Sequence, residues 1–250
     1  MQPTDTNADT APPSADEAAG ASGPSPPAPA APVPATSGRF DLPVAHGRLE
    51  CLLKEPATPR RAAVVCHPHP KGGGTMNNNV VYRTAKALEE RGTAVLRFNF
   101  RGVGRSTGEY GNGVGELEDA RAGLDFMAAR HPGLPLWQAG FSFGARVGLQ
   151  AGLADPRVER LLGVGLAVRV FDLSYLEGPR GGRPLAVVQA ANDEYGDRAE
   201  IEAFFAGLAE PKRLWIVEDA THLFPGRLDA LESAVGEAIA WLEATPPAGG

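Results

Sequence analysis

The pentapeptide Gly140-Phe141-Ser142-Phe143-Gly144 sets a serine between two glycines. An apolar run, residues 134–139, precedes it, and residues 143–153 follow with helical spacing of apolar side chains. A strand–turn–helix of this kind makes a sharp turn that only small flanking residues permit. It holds the serine in a strained conformation with its hydroxyl above the sheet, at a helix N-terminus that favours developing negative charge. The chemistry to expect is nucleophilic attack by Ser142.

A serine nucleophile needs a base, and the base needs an orienting acid. Of five histidines, His222 is the last and follows the last clear apolar strand, residues 213–217. The order serine, acid, histidine therefore selects His222 as base. The acid should follow the strand between them, residues 185–189, where Asp193 is the first choice. Glu194 beside it and Asp172 after the preceding strand remain alternatives. Oxyanion donors are expected from the main-chain N–H of Phe143, next to the nucleophile, and of His69. His69 lies in His67-Pro68-His69-Pro70-Lys71-Gly72-Gly73-Gly74, where the two prolines have no N–H to give. Two histidines without a nearby carboxylate make a poor zinc site, and no phosphate-loop pattern accompanies the glycines. The proposed chemistry needs neither cofactor nor metal. The loop Asn99-Phe100-Arg101-Gly102-Val103-Gly104 reads as structural, with Arg101 pairing to a local carboxylate.

These residues must be positioned by a scaffold. Strands are expected at residues 48–53, 62–66, 94–98, 134–139, 161–166, 185–189 and 213–217, and helices at 79–91, 115–130, 143–153, 199–208 and 228–242. Nearly all-apolar strands alternating with amphipathic helices point to an α/β fold, a mostly parallel sheet with helices on both faces. In such sheets the chemistry gathers beyond the carboxyl ends of the strands, where all five candidate site residues fall. Residues 167–184, where a cap domain would be inserted, have room for one short helix and a Gly/Pro loop, so no lid is expected.

Residues 1–38 are dominated by Ala, Pro, Ser, Thr, Gly and acids and read as a disordered tail. The catalytic domain is placed at 39–244 and a frayed end at 245–250. A net charge of −6 argues against nucleic acid as a partner. No apolar run approaches the ~20 residues of a membrane span, and the first residues lack the basic and apolar regions of a secretory signal. The chain reads as soluble and cytoplasmic, with a small-molecule ester as its partner. Cys51 and Cys66 read as buried, reduced thiols.

Three runs taken together, H-P-H-P-x-x-G-G-T-M-N-N, L-R-F-N-F-R-G-V-G-R-S and A-G-F-S-F-G-A, resemble a family of small bacterial α/β-hydrolases. These are lidless and carboxylesterase-like, and related to dienelactone hydrolases. The resemblance spans residues 40–242. It implies an eight-stranded fold and a triad that falls on Ser142, Asp193 and His222. This chain departs from the family pattern at Ala190, at Asp219, Thr221 and Leu223 around the histidine, and at Val168-Arg169, all on the acid and pocket side. Two other readings stay open: a serine aminopeptidase-type hydrolase and a non-catalytic binding module of the same fold.

Overall fold

The computed structural model describes residues 37–247. Eight strands form one sheet: β1 (Gly38–Val44), β2 (Gly47–Lys54), β3 (Arg61–Cys66), β4 (Thr93–Phe98), β5 (Leu136–Phe141), β6 (Val158–Val164), β7 (Leu185–Ala190) and β8 (Lys212–Val217). Their spatial order is β1-β2-β4-β3-β5-β6-β7-β8. β2 is antiparallel to both neighbours, and the remaining pairs are parallel. Five helices complete the fold: α1 (Asn79–Glu90), α2 (Val114–Arg130), α3 (Phe143–Ala154), α4 (Arg198–Ala206) and α5 (Leu228–Ala244).

The apolar strands look continuous because both faces are covered. In β3, Ala62, Val64 and Cys66 pack into a core with α2, α3 and α4, while Ala63 and Val65 pack on the other face with α1 and α5. Both cysteines are buried and unpaired, and burial pushes the Cys66 thiol up to about 12, so it stays protonated.

β1 is the strand outside the seven read from local pattern. It is an edge strand, only half-buried, and Pro43 interrupts its Phe40/Leu42/Val44 alternation. An edge tolerates a proline because one row of its N–H groups has no ladder partner. Phe40 holds it down by packing on Phe126, with ring centroids 5.0 Å apart. Gly38 opens this strand; residues 1–36 and 248–250 of the expected tail and frayed end lie outside the described residues.

The connection from β6 to β7 contains a single short 3₁₀ turn, Ser174–Leu176. No cap domain stands over the carboxyl edge of the sheet among the described residues. None of their helices is long and apolar enough to cross a membrane.

Candidate active site

β5 runs two residues further than its apolar pattern, through Gly140 and Phe141, so Ser142 follows the strand directly. Ser142 has φ 55° and ψ −119°, a combination that costs a non-glycine residue energy. Its N–H still bonds the Val164 carbonyl of β6 at 2.9 Å, and its carbonyl accepts the Arg146 N–H at 3.0 Å to start α3. The turn closes because the flanking glycines have no Cβ. At Gly140 a Cβ would come within 3.0 Å of the Gly144 carbonyl, and at Gly144 within 3.0 Å of the Cys66 and His67 carbonyls.

His222 lies on the loop after β8. Its Nε2 is 2.8 Å from Ser142 Oγ and its Nδ1 is 2.7 Å from Asp193 Oδ2. The three side chains are almost fully buried, with Ser142 the most accessible at 8%. The imidazole is packed between the rings of Phe141 and Tyr195, at centroid distances of 4.9 and 4.7 Å. Gly165, at φ +58°, ends β6 early, and a Cβ there would crowd both Phe141 and the His222 ring.

The alternative acids go elsewhere. Glu194 takes the His222 main-chain N–H at 3.1 Å rather than the imidazole, and Asp172 is exposed and accepts the Ser174 N–H. Asp193 is held by two further donors, the Tyr195 N–H on Oδ1 at 2.9 Å and Gln189 Nε2 on Oδ2 at 3.0 Å. Gln189 also takes the Leu166 N–H on Oε1 at 2.8 Å and donates to Gly196 O at 2.9 Å. One buried amide thus ties the ends of β6 and β7 to the acid. Its signal in the sequence is a lone polar residue in the apolar run Leu-Ala-Val-Val-Gln-Ala.

Phe143 is the first residue of α3, and its N–H meets no acceptor among the described residues; the same holds for the His69 N–H. The two rings pack at 4.9 Å. His69 Nδ1 accepts the Lys71 N–H at 3.1 Å, which leaves Nε2 to donate to the Tyr110 hydroxyl at 2.9 Å. Tyr110 therefore braces the loop after β3 from the connection after β4. The same connection is anchored by Asn99, which bonds Met76 N and Glu50, and by Arg101 on Asp119, as expected of a structural loop.

His67 does a related job that its place at the end of an apolar strand did not reveal. It is fully buried, its Nε2 accepts the Phe100 N–H at 3.0 Å, and its Nδ1 donates to Pro68 O at 2.6 Å. Burial of the ring holds its pKa down at about 4, against 6.5 in the open chain. Between these values the unfolded chain binds a proton that the folded one refuses, so this contribution is complete above 6.5 and is lost as pH falls toward 4. Urea unfolding at pH 7.0 and 4.5 should show the stability gap between wild type and His67→Gln shrinking by about 2–3 kcal/mol at the lower pH. A gap independent of pH would mean that His67 titrates normally.

Ser142, His222 and His69 line an open cleft of about 540 Å³, within the range of small-molecule sites. A depression of about 570 Å³ beside His46 and Arg101 has its polar groups engaged with one another, both side chains bonding Asp119.

A family described as "Serine aminopeptidase, S33" matches residues 57–180. An α/β serine hydrolase homologue from Coxiella burnetii is 35% identical with a TM-score of 0.74, covering 82% of this chain and 99% of its own. A protein of Xanthomonas campestris, described as a member of the α/β serine hydrolases without a lid, is 35% identical with a TM-score of 0.77, covering 86% and 99%. An uncharacterized protein of Rickettsia prowazekii is 33% identical over 76% of this chain and 84% of that protein.

Proposed function

Since the chain belongs to the α/β serine hydrolases without a lid, we propose that it hydrolyses small carboxylic esters through an acyl-enzyme on Ser142. The observation that carries this reading is the relay from Ser142 Oγ through His222 to Asp193, at 2.8 and 2.7 Å, opening on the cleft. His222 Nε2 takes the serine proton as Oγ bonds to the ester carbonyl carbon. The N–H groups of Phe143 and His69 receive the charge on the carbonyl oxygen. The carbon–alcohol bond then breaks, and the proton on His222 passes to the departing oxygen. Water repeats the sequence and releases the acid. Asp193 keeps Nδ1 protonated and stabilises the imidazolium.

An ester is favoured over an aminoacyl amide by the one carboxylate that lines the cleft. Glu194 is engaged with the His222 N–H, and among the described residues no acidic cluster waits for a substrate's amino terminus. The side of the cleft formed by the loop after β3 is rimmed by Pro68, Gly72, Gly73 and Asn78, with no large apolar side chain to hold a long acyl chain. Each buried methylene would add roughly 0.8 kcal/mol, and this side of the cleft captures few. A panel of p-nitrophenyl esters should give the highest kcat/KM at acyl lengths of about two to six carbons, with no turnover of aminoacyl p-nitroanilides. Preferred anilide cleavage would identify a peptidase, and no turnover of either would favour a binding module.

A further inference from the structure

Five large apolar side chains are exposed among the described residues, and three of them, Val170 (55%), Tyr195 (43%) and Leu223 (57%), rim this one cleft. They come from three separate loops, after β6, β7 and β8. Apolar surface left in water at three convergent points lowers the free energy of whatever apolar group covers it. The sheet order says which part of a substrate that is. Ser142 follows β5, flanked on one side by β3, whose loop carries His69, and on the other by β6, β7 and β8. An acyl carbon on Ser142 Oγ must turn its oxyanion toward Phe143 and His69. Its leaving oxygen must lie within reach of His222 Nε2, because that nitrogen protonates it. His222 reaches Ser142 from the β8 side, with Leu223 next in the chain and Tyr195 packed edge-to-face against its ring.

Resting on the ester reading above, we propose that Val170, Tyr195 and Leu223 form a binding site for the alcohol portion of the substrate, and that this portion is apolar and uncharged, an aromatic or branched group. Among the described residues Glu194 is the only carboxylate lining the cleft, and no lysine or arginine lines it, so an anionic alcohol is disfavoured.

The test varies the alcohol at constant acyl group and nearly constant leaving-group reactivity: ethyl, benzyl and 4-carboxybenzyl acetate. For wild type, kcat/KM on benzyl acetate should exceed that on ethyl acetate by about tenfold or more. 4-Carboxybenzyl acetate should fall well below benzyl acetate. Val170→Ser combined with Leu223→Ser should bring the benzyl-to-ethyl ratio close to one; because it is a ratio, general damage to the enzyme cancels. Ester turnover with a ratio near one in wild type, or a ratio the double variant leaves unchanged, overturns the alcohol site and leaves the esterase reading standing. No turnover of any ester overturns both.

Discussion

Replacing Ser142 with alanine is expected to abolish covalent labelling by a fluorophosphonate and to lower ester hydrolysis by roughly 10⁶-fold, to the background left by the other groups. Among the described residues the hydroxyl is the only group that His222 Nε2 holds, at 2.8 Å, and no second serine, cysteine or threonine lines the cleft. Replacement with glycine should abolish activity equally, but it should separate from alanine in stability. At φ 55° and ψ −119° alanine keeps the strain of the turn, whereas glycine adopts that conformation readily. After the extra flexibility of glycine in the unfolded chain is deducted, Ser142→Gly should be more stable than Ser142→Ala by about 1 kcal/mol, or about 2–4 °C in Tm. Labelling that survives either change would refute Ser142 as nucleophile. Equal melting temperatures would mean that the turn stores little strain.

The largest loss of stability is expected from Gly144→Ala. The new methyl group would meet the Cys66 and His67 carbonyls, main-chain groups at and just after the end of β3 that cannot swing aside as a flexible side chain could. Either α3 lifts from the sheet or β3 moves, and both shift the loop that carries His69. A loss of about 3 kcal/mol or more follows, close to 10 °C in Tm, with soluble yield falling as well. Gly236→Ala is the internal control. It lies in α5, nothing approaches within 4 Å of its Cβ, and the helix should gain up to about 1 kcal/mol from it. Thermal unfolding of the two variants side by side reads the difference. A Gly144→Ala variant that melts like wild type would mean that the approach of α3 to β3 is looser than the geometry requires.

The alternation of apolar strands with amphipathic helices was enough to specify the fold class, and the glycines around Ser142 were enough to single it out as the candidate nucleophile, because both signals are local. Strand periodicity reports two-sided burial at Ala62 to Cys66 without knowing the partners, and a G-x-S-x-G turn needs its glycines wherever it occurs. Asp193 and His222 were legible only through the order of elements, since nothing in their immediate surroundings marks them; the resemblance to lidless hydrolases supplied the same pair independently. Tertiary structure decided the rest. Asp193, Glu194 and Asp172 are equivalent by type, and only the folded chain brings one of them to 2.7 Å from Nδ1, another to the His222 main chain and the third to Ser174. β1 escaped local reading because an edge strand buries one face and tolerates Pro43. The end of β6 was misplaced because Gly165 and the Gln189 amide break its ladder in favour of room for the imidazole. The bracing by Tyr110 and His67, and the exposed collar of Val170, Tyr195 and Leu223, join residues far apart in the chain. Contacts of that kind follow from how loops meet over the sheet, which no spacing within a single segment encodes.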